Sequence, residues 1–183
     1  MATGRLVILS GPSGVGKDTV IDAWRNADPS VERVVAYATR APRSGEVDGV
    51  DYRFVPVDQF QQMAAAGEFL EHKRVFENYY ATPARDPDRI VSEGRIAVLK
   101  IDVQGALAVM PLRPEAITVF LLPPSEEVLK SRIEGRRTDA PEVIFRRLNE
   151  AKNEIAQAHN YQFQIVNENV DEVVAKLKEL TSE

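Results

Sequence analysis

The run Gly11-Pro12-Ser13-Gly14-Val15-Gly16-Lys17-Asp18-Thr19 has the spacing of a phosphate cradle. Its glycines let successive backbone N–H groups turn inward around a polyphosphate. Lys17 reaches the β- and γ-phosphates, and the helix that follows points the positive end of its dipole at the same anion. Gly11, Ser13, Gly14, Val15, Gly16, Lys17, Asp18 and Thr19 are therefore the expected contacts of a nucleotide polyphosphate. The position after the lysine ordinarily carries Ser or Thr, whose hydroxyl binds Mg2+. Here Asp18 offers a carboxylate, and it is the expected metal ligand. A second anion site is expected in the turn-rich segment 39–54, which concentrates Arg40, Arg43 and Tyr52 among glycines. Guanidinium forks bind phosphate oxygens in pairs, and a phenol adds a neutral donor. Alone, such a segment would read as a solvated loop. Beside the first loop it reads as a second phosphate site.

These groups need a rigid frame. Strand signals recur over residues 6–9, 33–37, 97–101, 118–122 and 163–166. Helical patterns lie over 17–26, 57–66, 83–93, 125–134, 141–159 and 171–180. The alternation predicts an α/β fold with a parallel sheet covered by helices. Pro123-Pro124-Ser125 closes one strand and caps the next helix, since proline cannot continue a ladder while Ser accepts from an early helical N–H. Residues 41–80 differ from the rest in being rich in aromatics, charges and turn residues, and read as an insertion that closes over a site.

The chain of 183 residues fits one domain with a sizeable core. A net charge of -5 argues against broad binding of nucleic acid through its phosphates, so the basic clusters call for smaller anions. Without cysteine there is no disulfide framework, thiolate metal site or sulfur redox chemistry. The first strand pattern begins at once and no apolar run reaches ~18 residues. A cytoplasmic protein with no membrane partner is expected.

The motifs, in order, resemble the guanylate kinase family of P-loop nucleoside monophosphate kinases. Gly-Pro-Ser-Gly-x-Gly-Lys, Thr-Arg-x-Pro-Arg-x-Gly-Glu-x-Asp-Gly-x-Asp-Tyr-x-Phe, Gly-Glu-Phe-Leu-Glu, Asn-Tyr-Tyr, Ile-Asp-x-Gln-Gly and Pro-Pro-Ser span almost the whole chain. The resemblance implies a single domain over 1–183: a P-loop NTPase-type CORE, an acceptor-binding insertion at about 41–80 and a helical LID at about 132–147. It implies phosphorylation of GMP or dGMP by ATP with Mg2+, in a monomer or homodimer. Arg40, Arg43, Tyr52 and Tyr80 match positions that hold the acceptor phosphate, and Glu71, Thr82 and Asp102 match positions that contact guanine. Read alone, Glu71 is equally an exposed helix-end carboxylate. Lys17, Arg132, Arg136 and Arg147 match positions that neutralise charge on the transferred phosphoryl, although arginines near helix ends also complement dipoles. His72 and His159 have no ligand spacing or adjacent nucleophile, and Trp24 reads as core.

The chain departs from the family pattern around these positions. Asp18 replaces the loop hydroxyl, and Lys100 stands where an acid is usual. Ala36 removes a serine that contacts guanine, Arg137 replaces a LID glycine, and Ala81 replaces the glycine after Asn-Tyr-Tyr. Asp18 and Lys100 are expected to be adjacent and to compensate one another. Gly-Lys-Asp is also common in ribose 1,5-bisphosphate phosphokinases, an alternative whose acceptor pattern otherwise differs from this one. A catalytically inactive binding module is the other alternative, and the retained Lys17 and LID arginines argue against it.

Overall fold

The computed structural model describes residues 4–135 and 141–182. Its main sheet is parallel, in the order β2 (Val31–Arg33), β7 (Ile96–Lys100), β1 (Arg5–Ser10), β8 (Ile117–Leu122) and β9 (Phe163–Val166). Because side chains alternate along a strand, Val7 and Leu9 join one core cluster while Leu6 and Ile8 join another. The first is closed by α1 (Lys17–Ala27) and α7 (Val170–Ser182), through Val20, Ile21, Trp24, Val173, Val174 and Leu177. The second is closed by α3 (Arg85–Ser92) and α4 (Val103–Val109), through Ile90, Val103, Ala106 and Val109. With both faces covered, the three central strands β7, β1 and β8 are near-continuous apolar runs. The α/β sheet expected from the alternation is the observed fold.

A second sheet runs β4 (Arg53–Phe54), β3 (Tyr37–Ala38), β6 (Asn78–Pro83) and β5 (Phe69–Val75). Helix α2 (Val57–Ala65) packs on it through the buried Phe60, whose ring meets Phe69 at 4.8 Å and Tyr79 at 5.5 Å. This sheet corrects two expected elements. The strand expected over 33–37 is divided: Val34 still donates to Val98 O, but Tyr37 pairs with Ala81 in the second sheet. The helix expected from Pro83 begins at Arg85, because Pro83 ends β6 opposite Phe69 and Ala84 N continues the hairpin by donating to Glu68 O. Strand pairing here overrides proline's preference for a helix start.

Helices α5 (Glu126–Glu134) and α6 (Pro141–Ile155) form a third small cluster around Leu129, Ile133 and Ala151. The helical pattern read through His159 stops at Ile155, followed by a short 3-10 turn over Ala158–Asn160. Among the described residues no helix is long and apolar enough to cross a membrane.

Trp24 is fully buried, and its indole N–H makes no hydrogen bond. Its contribution is therefore packing. Trp24→Ala is expected to cost about 3–5 kcal/mol in urea unfolding. Trp24→Phe, which removes an unpaired polar group and keeps an aromatic ring, is expected to cost less than half as much.

Candidate active site

The phosphate-binding loop lies between the end of β1 and the start of α1, where strand ends and a helix N-terminus converge. Gly16, the residue before α1, has φ of 99°, and a Cβ there would lie 2.8 Å from Asn167 Nδ2. Only glycine meets both constraints. Asn167 is buried and donates from Nδ2 to Val15 O at 2.8 Å, while Arg132 Nη1 donates to the same carbonyl at 3.1 Å. Arg147 Nη2 donates to Ser13 Oγ at 3.0 Å. Both α5 and α6 thus place an arginine on the loop. Arg136 and Arg137 lie outside the described residues.

Lys17 Nζ donates to Gly11 O at 2.6 Å and Pro12 O at 3.1 Å. Burial is the main reason its pKa falls to about 8; Lys100 adds to the fall, and Glu154 and Asp18 oppose it. Glu154, on α6, is itself raised by burial against the pull of Lys17. At neutral pH the lysine is still mostly charged, and only above about pH 8 would it have a proton to gain if a polyphosphate replaced its carbonyl partners.

The Asp18 carboxylate, at the first turn of α1, is three-fifths exposed. Its Oδ1 accepts from Lys100 Nζ at 2.6 Å and from Arg33 Nη1 at 3.2 Å. Burial pushes its pKa up, but the Lys100 hydrogen bond and the charges of Lys100, Arg33 and Lys17 outweigh it, so the carboxyl lies below its usual range. Asp18 and Lys100 are adjacent, as expected, because Leu9 pairs with Lys100 across β1 and β7. Among the described residues no three His, Cys, Asp or Glu side chains cluster to hold a metal. The donor set suits a Mg2+ carried by nucleotide phosphates and touched by one carboxylate, since Mg2+ keeps most of its shell as water and phosphate.

Between the loop and the second sheet lies an open cavity of about 330 Å³. Its lining includes Lys17 and Lys100 with Arg40, Arg43, Tyr52 and Tyr80. Arg40 is the most constrained of these. It donates to both oxygens of Glu46 at 2.6 and 2.7 Å and from Nε to the Tyr80 hydroxyl at 3.2 Å, and it lies 5.1 Å from the Tyr52 ring centre. The Glu46 carboxyl also accepts from Arg43 N at 2.8 Å. The Arg40 hydrogen bonds, more than the Arg43 amide, hold Glu46 down at about 2.

Further along the lining stand Glu71, Lys73, Thr82 and Asp102, with apolar Ala36, Val75, Ala81 and Ile101. Thr82 is buried and donates from Oγ1 to Glu71 Oε1 at 2.8 Å. Asp102 caps α4, its Oδ1 accepting from Gly105 N at 2.9 Å, while Oδ2 is ion-paired with Lys73. All seven expected acceptor-binding residues therefore line one cavity with Lys17. His72 and His159 stand apart from it: His72 borders the Phe60 ring, and His159 contacts Ala156 O.

Sequence reasoning missed Glu46, Arg33, Lys73 and Asn167. Glu46 carried a signal, three residues after Arg43 in the same turn-rich motif. The other three act on partners 15 to 152 residues away, which no local spacing exposes.

If Lys17 titrates near 8 and a bound polyphosphate restores its charge, nucleotide binding takes up protons. Uptake is expected to grow as the solution is raised from about pH 7 to about pH 9. Calorimetry of ADP binding in buffers of different ionisation enthalpy measures it. Lys17→Met is expected to abolish the pH-dependent part, and uptake that stays flat in the unmutated protein would contradict the assignment.

Comparison with known proteins agrees with this arrangement. The family model for guanylate kinase matches residues 3–183. Guanylate kinase of Halalkalibacterium halodurans is 43% identical over 179 residues, covering 98% of this chain and 88% of that protein. That of Hahella chejuensis is 43% identical over 178 residues, covering 97% and 86%. The crystal structure of guanylate kinase from Anaplasma phagocytophilum superposes with a TM-score of 0.76 at 31% identity, covering 98% of this chain and 85% of that one. A glycine-rich strand-to-helix loop facing an arginine-lined cavity, on a fold and a sequence shared over nearly the full length with these enzymes, places the chain in the guanylate kinase family.

Proposed function

We propose that the cavity between the phosphate-binding loop and the second sheet performs ATP-dependent phosphorylation of GMP to GDP, and of dGMP to dGDP. The observation that carries the residue assignment is the shared lining. Lys17, Arg40, Arg43, Tyr52 and Tyr80 border the same cavity as Glu71, Thr82 and Asp102. The first group suits a phosphate and the second suits a base that offers N–H donors. Two carboxylates at the base end would repel a second phosphate, so a purine nucleotide fits there better than a sugar bisphosphate.

Phosphoryl transfer asks little covalent chemistry of a protein. It needs alignment and positive charge on the oxygens that gain charge. The backbone N–H groups of Gly11, Ser13, Gly14, Val15 and Gly16, with Thr19, orient the donor phosphates, and Lys17 takes their β- and γ-oxygens. Arg40 and Arg43 fix the acceptor phosphate, held in register by Glu46, while Tyr52 and Tyr80 offer phenolic hydroxyls. Arg132, Arg136 and Arg147 supply cations from the LID, and guanidinium groups do so without losing a proton. When bound, Mg2+ neutralises charge on the donor phosphates, and Asp18 is the carboxylate that would hold it. Closure of the second sheet and the LID over the ligands excludes water that would otherwise hydrolyse ATP.

In a coupled assay of ADP formation, GMP and dGMP are expected to be turned over faster than AMP, CMP, UMP or ribose 1,5-bisphosphate. Glu71→Gln is expected to weaken GMP use by about 1.5–3 kcal/mol in kcat/KM while leaving the KM for ATP unchanged. A faster reaction with any of the other acceptors would sink the proposal.

The pair formed by Asp18 and Lys100 yields a second expectation. Asp18→Ser leaves Lys100 without its carboxylate, and Lys100→Glu sets an acid beside Asp18. Each is expected to reduce turnover and shift its Mg2+ dependence. The double variant is expected to recover part of the loss, with a coupling of about 0.5–3 kcal/mol. Additive losses with an unaltered Mg2+ dependence would show that the two side chains act separately.

A further inference from the structure

Glu71, Lys73 and Val75 alternate along β5, so all three side chains face the cavity. Lys73 therefore stands one strand position from Glu71 on the same face, and its ammonium is ion-paired with Asp102. The ammonium thus pairs with one carboxylate and feels the charge of a second, Glu71. Burial draws the Lys73 pKa down, and the charges of Glu71 and Glu154 oppose the fall.

The other donors at this end are already committed. The Thr82 hydroxyl gives its proton to Glu71, and the Gly105 N–H is taken by Asp102 Oδ1. Ala36, Ala81, Val75 and Ile101 contribute no polar side chain. Ala36 stands where the family pattern has a serine that contacts the base.

Guanine presents two kinds of group along one edge. N1–H and the 2-amino group donate, and O6 accepts. Carboxylates can take the donors but repel O6, and an unsatisfied buried carbonyl is costly. An ammonium has three N–H donors, enough to serve Asp102 and a base carbonyl together.

We infer that Lys73 is a specificity-determining residue that donates to O6 of guanine, completing a donor–acceptor–acceptor array with the Glu71 and Asp102 carboxylates, which take N1–H and the 2-amino group. The inference rests on GMP being the acceptor. Adenine carries an amine where guanine carries O6, so its N–H would meet the ammonium donor to donor. The array thereby rejects adenine as well as binding guanine. The ion pair with Asp102 is about one-third exposed, and such pairs add little to stability. Lys73 can therefore be replaced with the fold retained.

The test compares kcat/KM for GMP and for 6-thio-GMP, whose sulfur is a poor acceptor while N1–H and the 2-amino group are kept. The unmutated enzyme is expected to prefer GMP on the order of tenfold, the worth of one charge-assisted hydrogen bond at the low end. Lys73→Met is expected to bring the ratio near one by a loss on GMP alone. A merely structural role would lower both substrates together and leave the ratio unchanged, which overturns the inference. A ratio near one in the unmutated enzyme overturns it with no variant needed. Failure to phosphorylate GMP at all would instead remove the reading on which the inference rests, and the unmutated enzyme reports that separately.

Discussion

Mutual repulsion among cations is the constraint around which this molecule is arranged. Lys17, Arg40, Arg43, Lys73 and Lys100 border one cavity, where like charges oppose each other more than in open water, and Lys100 adds to the fall of the Lys17 pKa. Four of these five cations have an oxygen partner within the fold. Lys17 takes the carbonyls of Gly11 and Pro12, Arg40 takes Glu46, Lys100 takes Asp18, and Lys73 takes Asp102. These partners come from different elements, so the charge balance of the site requires the whole architecture. In the proposed function a nucleotide phosphate competes with the same oxygens for the same N–H groups, which would convert internal pairing into ligand binding.

The two ends of the cavity solve different problems. At the phosphate end the pairing is strong and geometrically fixed: Arg40 makes a two-pronged contact with Glu46 and lies over the Tyr52 ring. A guanidinium held this way presents its remaining edge with little rotamer entropy left to lose. At the base end two carboxylates and one ammonium form a pattern of acceptors and donors whose sum is negative. In the proposed function, phosphate chemistry and base chemistry are thus separated by the sign of the lining. On the donor side, Asn167 and Arg132 converge on the Val15 carbonyl, tying the loop to β9 and to α5. The loop conformation is held from outside as well as by its glycines.

Much of this was legible in residues close together in the chain. The loop was evident because its chemistry lies in a run of nine residues, and the parallel sheet because its buried strands are apolar throughout. Helix α4 escaped notice: Val103–Val109 is short, nearly all apolar and interrupted by Gly105, so it lacks the alternation of a surface helix. The second sheet was read only as an insertion. In β5 the charged run His72-Lys73-Arg74 masks a strand whose half-buried and exposed positions alternate beside its partner β6. Asp18 and Lys100 were conspicuous as departures from a pattern, but the contact of Arg33 with the same oxygen was not. Such contacts depend on where the chain leaves one sheet for the other.

In the proposed function, internal oxygens are exchanged for phosphate as the nucleotides bind. A crystal structure of the ternary complex with GMP and a non-hydrolysable ATP analogue measures it directly. Lys17 Nζ is expected to have left the Gly11 and Pro12 carbonyls for the donor phosphates, with the acceptor phosphate within hydrogen-bonding reach of Arg40, Arg43, Tyr52 and Tyr80. Lys17 retained on its carbonyls, or an acceptor phosphate seated away from those four side chains, would contradict it.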